Sequence, residues 1–275
     1  MSKIHPTAII DSRAKIEDGV TVGPYCVVGK DVNIGKGTVL HSHVCLEGNT
    51  SIGNDNEFFP FAAIGFIPQD LKYHGEKSRL IIGNRNTIRE YVTMQPGTDG
   101  GNMATVIGDD CLFMAGAHMA HDCQIGNSVV MANQATLGGH VTVDDYVTLG
   151  GLVAVHQFVK IGRYAMIGGM SGIDKNVLPY ASVVGERAKI AGINLVGLKR
   201  HGFERRVIFK IREAYEKLFA QSSTLDERKT FLRQKFKDCQ EVLHIMDFLD
   251  SESSRSICLP RKSGSLLGTK KPADG

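Results

Sequence analysis

Residues 114–127 read MAGAHMAHDCQIGN and place His118, His121 and Asp122 inside a run of small and aliphatic residues. Two more histidines, His140 and His156, follow within the next thirty-five positions. A histidine titrates near neutrality, so its ring can take a proton from a hydroxyl under physiological conditions. An adjacent carboxylate can orient such a ring or stabilise its charged form. Imidazoles also bind metals, which need convergent nitrogens at about 2.0–2.1 Å for zinc. Which chemistry applies depends on how the chain positions these groups.

The positioning element is a repeat. Large apolar residues recur every six positions: Ile4, Ile10, Ile16, Val22, Val28, Ile34, Leu40, Leu46, Ile52, Phe58 and Ile64. The phase returns at Ile82, Ile88 and Met94, then resumes shifted by one from Ile107 to Ile173. Four residues after each member stands a small or β-branched residue, such as Cys26, Val44, Ala117, Cys123 or Val141. A period of six matches neither a helix nor an ordinary alternating hairpin sheet. Two interruptions, about 66–79 (FIPQDLKYHGEKSR) and 95–104, read as external loops.

Near residue 184 the hexads stop. Residues 185–202 read as a linker and 203–250 as three helices. In the first helix Ile208, Ile211, Tyr215, Leu218 and Phe219 share a face. Thr224 with Glu227 makes a capping box, and Asp238 with Glu241 a weaker one. Residues 251–275 have little to bury and read as a disordered tail.

Composition narrows the function classes. Residues 1–184 carry 13 Lys+Arg and 17 Asp+Glu, a net of −4; residues 185–275 carry 19 and 12, a net of +7. A basic C-terminal third suits an anionic partner. It lacks the interleaved aromatics that stack bases, so no nucleic acid is expected. There is no early apolar signal segment and no run of 18 apolar residues. Six scattered cysteines without a C-x-x-C, three of them in repeat-core slots, fit a reducing cytoplasm.

The six-residue period resembles that of the hexapeptide-repeat proteins. This implies a mostly-β chain, a left-handed parallel β-helix over 1–184 followed by a small helical domain. Three hexads make one coil, so residues 18 apart stack at about 4.8 Å. Gly139 then lies over His121, Gln157 over Gly139, and His140 over Asp122. A glycine amide one rung above an imidazole can stabilise an oxyanion at an attacked carbonyl. Carbonic anhydrases on this fold bind zinc with histidines five apart. Here the close pair is three apart, so no metal and no other cofactor is expected.

Several longer motifs go further. IHPTAII, PQDLKYHGE, AHMAHDCQIGN, LGGHVTVDDYVTLGGLVAVHQFVKIG, IGGMSGI and GINLVGLKRHGF together resemble the acyl-ACP–UDP-N-acetylglucosamine O-acyltransferases of lipid A biosynthesis, over about residues 4–250. The resemblance implies a homotrimer with clefts between subunits. It implies transfer of a 3-hydroxyacyl group from acyl carrier protein to the glucosamine 3-hydroxyl of UDP-N-acetylglucosamine. It makes His121 the base, Asp122 its supporting carboxylate and the Gly139 amide the oxyanion donor. His118, His140, His156 and Gln157 would line the cleft. Gln69, Asp70 and Lys72 would contact the sugar, and Asn194 and Arg200 the nucleotide end. Gly169 would sit where acyl length is limited, its small size favouring a longer chain. The family often has two consecutive arginines where this chain has Arg200–His201.

Other readings are N-acylation of a 3-amino UDP-sugar at the same site, a zinc-dependent β-helix, or a non-catalytic trimeric scaffold. The scaffold needs no glycine above a histidine. The N-acyltransferase of the same pathway carries a separate domain before its hexads, and acetyl-CoA-dependent hexapeptide enzymes lack the QDLKYHGE loop.

Overall fold

The structure, a computed structural model, describes residues 1–220 and 223–261. Strands of mostly two residues fall into three sheets of eleven, nine and eight strands, and each sheet is one face of a triangular prism. Successive strands go to successive faces, and every third one pairs in parallel with the strand beneath it. The register is 18 residues, as in Thr21↔Val39 and Ile125↔Val143. This is the left-handed parallel β-helix expected from the six-residue period.

Neighbouring residues of a strand point to opposite faces, so each two-residue strand turns one side chain inward. Val22, Ile34, Phe58, Ile88 and Met131 do so and are at most 2% exposed. The small residues four positions on, among them Cys26, Ala117 and Cys123, fill the corners of the same core. Among the described residues no coil lies beneath the first one, and Ile4 there is half-exposed.

The chain bends at corners through residues with φ near +60°, including Asp122 (60), His140 (62) and Phe158 (66). Both insertions enter at the corner that joins the nine-stranded face to the eight-stranded face. The first links Ala63–Ile64 to Arg79–Ile82, and the second links Thr93–Met94 to Ala104–Ile107. They lengthen two successive coils, so the register becomes Phe58↔Ile88 and then Ile88↔Phe113. The coil carrying His121 stacks directly on the second insertion's coil, with His118 paired to Thr93.

The top of the prism differs from expectation. Residues 185–202 are not a linker. Lys189–Ile193 pairs antiparallel with Ala181–Val184, and α1 spans Leu195–Arg200, capped by the Asn194 side chain. The strand hides Ile190 and Ile193, a spacing of three that the six-residue period does not contain. Helices α2 (Arg205–Leu218), α3 (Leu225–Lys235) and α4 (Gln240–Asp250) follow. The Tyr215 hydroxyl of α2 donates to the Pro179 carbonyl at 2.6 Å and anchors the helices to the last coil. Thr224 and Glu227 form the capping box, but the N-cap of α4 is Cys239, which makes no side-chain cap bond, so Asp238 does not serve there. Residues 251–261 are ordered against the solenoid: Ile257 bridges Asn176, Pro260 bridges Ile190, and Cys258 is buried. The rest of the expected tail, 262–275, lies outside the described residues.

Candidate active site

His121 and Asp122 occupy the corner between the nine- and eight-stranded faces. His121 is 5% exposed and Asp122 1%. The His121 Nδ1 lies 2.9 Å from Asp122 Oδ2. An ionised carboxylate only accepts, so Nδ1–H donates and the Nε2 lone pair stays free in the neutral ring. Asp122 accepts further bonds from the second insertion. Thr98 gives its hydroxyl to Oδ2 at 2.6 Å and its N–H at 3.0 Å, and the Asn102 N–H reaches Oδ1 at 2.9 Å. Burial alone would raise the Asp122 pKa; the bonds from Thr98 and His121 outweigh it and hold the carboxyl below its ordinary value.

Gly139 sits directly over the ring. A Cβ built on it would lie 2.5 Å from His121 Cε1 and Nε2. The position is glycine because the imidazole itself fills the space of a side chain. Among the described residues the Gly139 N–H donates to no acceptor in the chain, while its neighbours Gly138 and His140 donate to Val155 and His121 carbonyls. A preorganised, unpaired amide beside a free Nε2 is the pairing that proton abstraction with oxyanion formation requires.

Other expected residues gather around this core. His140 meets the His121 ring edge-on at 4.9 Å between centroids, with its Nδ1 4.0 Å from Asp122. Burial pushes the His140 pKa down. From the first insertion, Asp70 Oδ2 lies 3.7 Å from His121 Nε2, and Lys72 Nζ lies 3.8 Å from Asp70. A backbone bond from Lys72 leads the causes that lower the Asp70 pKa. Gln69 is exposed beside them. His118, half-buried one strand before His121, bonds Thr93 Oγ1 at 2.6 Å, and burial depresses its pKa.

His156 and Gln157 lie on the same corner one coil above Gly139 and two above His121. There Arg255 donates to His156 Nδ1 at 2.7 Å and to the Gln157 carbonyl at 3.1 Å. Three contacts had no signal in the repeat: Thr98 with Asn102 on Asp122, Arg255 on His156, and Phe158 stacked on His140 at 4.4 Å. The residues of the first two pairs come from segments outside the hexads. Phe158 is a corner residue whose role depends on the ring beneath it.

Three expected residues lie elsewhere within one chain. Asn194 donates to the Tyr164 carbonyl at 2.9 Å, at the corner between the eight- and eleven-stranded faces, and Arg200 ends the same short helix. His201 packs edge-on against Tyr146 and Tyr164, at 5.2 and 5.3 Å. Gly169, with exposed Met170 beside it, is on the third corner.

His121, Asp122 and His140 place one ligand atom each within 4.8 Å of one another, the only such group among the described residues. Asp122 is a poor metal ligand here. Its oxygens already accept from Thr98, Asn102 and His121, and a cation would have to displace those donors.

Known proteins match this arrangement along the chain. A family model for the bacterial transferase hexapeptide (six repeats) covers residues 104–139, and one for UDP N-acetylglucosamine O-acyltransferase, domain 2, covers residues 176–258. The acyl-[acyl-carrier-protein]–UDP-N-acetylglucosamine O-acyltransferase of Thermodesulfovibrio yellowstonii is 49% identical over 94% of this chain and 100% of its own length. The enzyme of the same name from Bartonella bacilliformis is 46% identical over 98% of both chains. Among solved structures, UDP-N-acetylglucosamine O-acyltransferase (LpxA) from Moraxella catarrhalis superposes with a TM-score of 0.89 at 41% identity, covering 94% of this chain and 99% of that one. The Francisella novicida UDP-N-acetylglucosamine acyltransferase gives 0.90 at 36% identity, over 94% and 95%. With this fold, this corner and these relatives, the chain belongs to the acyl-[acyl-carrier-protein]–UDP-N-acetylglucosamine O-acyltransferase family.

Proposed function

We propose that the protein transfers a 3-hydroxyacyl chain from acyl carrier protein to the glucosamine 3-hydroxyl of UDP-N-acetylglucosamine, the first step of lipid A biosynthesis. The observation that carries this reading is the free Nε2 of His121 beneath the unpaired Gly139 amide. His121 takes the proton of the sugar hydroxyl, and the oxygen attacks the thioester carbonyl. The tetrahedral oxyanion receives the Gly139 N–H. As the C–S bond breaks, the imidazolium returns its proton to the leaving thiolate, giving an ester and the free carrier thiol. Asp122 fixes the ring and balances its transient charge. Asp70 and Lys72 hold the sugar against Nε2, and His118, His140, His156 and Gln157 line the cleft. No metal and no cofactor enters the step.

The distribution of the remaining residues supports a homotrimer. Asn194 and Arg200 for the nucleotide, and Gly169 for the acyl end, stand on the two corners that lack His121. Parallel packing of three prisms brings different corners together in each cleft. The +7 C-terminal third offers the acidic carrier protein a surface, and all six cysteines are free, as suits the cytoplasm. The test offers purified protein UDP-N-acetylglucosamine and its 3-amino analogue, with carrier proteins bearing different chains, and identifies products by mass. Ester formation on the first sugar supports the reading, and amide formation on the second alone overturns it. Mixing inactive His121→Ala chains with inactive Asn194→Ala/Arg200→Ala chains should restore activity if the cleft is shared.

A further inference from the structure

The second insertion enters the prism at the corner one coil below His121, and its backbone wraps the Asp122 carboxylate. A Cβ on Gly101 would lie 2.3–2.6 Å from the carboxylate atoms, so the loop is in close contact there. Thr98 is 3% exposed and spends both its hydroxyl and its N–H on Asp122. The hydroxyl binds Oδ2, the same oxygen that accepts Nδ1–H of His121. The next residue, Asp99, donates its N–H to Glu76 of the first insertion at 3.3 Å. That insertion carries Asp70, which faces the opposite nitrogen of the ring.

We infer that Thr98 is a positioning residue for the His121–Asp122 pair, its hydroxyl fixing the carboxylate oxygen that holds the imidazole. The inference rests on His121 acting as the base. Three donors from one loop hold Asp122 as an anion in one orientation, and the anion in turn holds the ring with Nε2 aimed at the Asp70 side. Removing the hydroxyl does two things. Oδ2 keeps only the backbone N–H of residue 98 from the loop and is held less firmly against Nδ1, which costs turnover. The carboxylate also becomes a less-solvated, stronger acceptor, which favours the imidazolium and moves loss of activity at low pH upward. The charged or titratable groups facing the pair are Asp70 and Lys72 from the first insertion and His140 from the coil above. None of them donates to Oδ2 in place of Thr98.

The experiment compares Thr98→Val, Thr98→Ser and Asp122→Asn with the wild type, recording kcat and KM across pH. Thr98→Val should lower kcat by about tenfold with KM for the sugar little changed. The acidic limb of its profile should rise by about half a pH unit or more. Thr98→Ser, which keeps the hydroxyl, should stay within about threefold of the wild type. In an Asp122→Asn background the Thr98→Val effect should largely vanish, because the partner charge is gone. A Thr98→Val enzyme with unchanged kcat and pH profile overturns the inference. So does a loss that Thr98→Ser does not rescue, or that persists unaltered in Asp122→Asn, because either reports only a loosened loop. Should His121→Ala keep its turnover, it is the base assignment that falls, a result distinguishable from all of these.

Discussion

Replacing Gly139 with alanine tests the site most directly, because it adds one methyl group and removes no hydrogen-bonding group. The new Cβ would stand 2.5 Å from Cε1 and Nε2 of His121. Carbon contacts settle at about 3.5–4.0 Å, so the ring must withdraw by about 1 Å. It has little freedom to do so, since Nδ1 is tied to Asp122 at 2.9 Å and the ring edge rests on His140. A misplacement of about 1 Å costs roughly a hundredfold in rate. The expected outcome is therefore a kcat about a hundredfold lower, with KM for the nucleotide sugar changed much less. The alanine keeps its N–H, so lost oxyanion stabilisation cannot account for the fall. Overpacking of this kind costs stability too, about 1–3 kcal/mol. Thermal unfolding followed beside steady-state acyl transfer separates that loss from the catalytic one. Turnover within threefold of the wild type would refute the placement of the working imidazole beneath that amide.

Other outcomes follow from the same geometry. His121→Ala should lose about a thousandfold or more in kcat, read by product formation under single-turnover conditions. Gly169→Met should shorten the preferred acyl chain in a carrier-protein competition assay, and an unchanged profile removes Gly169 from that role. Burial pushes the pKa values of His118, His140 and, in α4 beside the Tyr180 hydroxyl, His244 below the ordinary 6.5, so the unfolded chain binds their protons more readily. Stability should therefore be highest above about pH 6.5 and decline as the pH falls through the window below it; unfolding midpoints between pH 7.5 and 5.5 check this, and His244→Gln should flatten part of the slope. Asp122 acts in a separate, lower window. The stability its anion lends is present above its ordinary 3.8 and is lost as the pH drops through its depressed folded value.

The repeat made most of the solenoid legible, because each buried residue of a coil recurs at a fixed interval. The same arithmetic puts Gly139 over His121 and His140 over Asp122. It failed where the interval ends. Lys189–Ile193 buries only Ile190 and Ile193, three positions apart within five residues, so neither the six-residue period nor a simple alternation marks it as a strand. Residues 251–261 looked like tail because their anchors, Asn176 and Ile190, lie about 70 to 80 positions away. The second insertion was legible as a loop, but nothing in QPGTDGGNMA reveals that Thr98 faces a carboxylate 24 residues downstream. At Gly139 it is the histidine ring beneath that excludes a side chain, a contact that the spacing alone does not reveal.

The corner that leaves the Gly139 amide unpaired is not singular. Among the described residues the equivalent N–H groups of Asn133, Gly151 and Gln157 likewise find no acceptor in the chain. The prism therefore manufactures outward-facing donors at intervals of one strand spacing, whatever reaction its owner performs. What gives one of them an address is the pair of insertions delivered to the same edge, the first bringing Asp70 to the ring and the second bringing donors to Asp122. A scaffold of this kind can host new chemistry by relocating its loops, leaving the coil untouched.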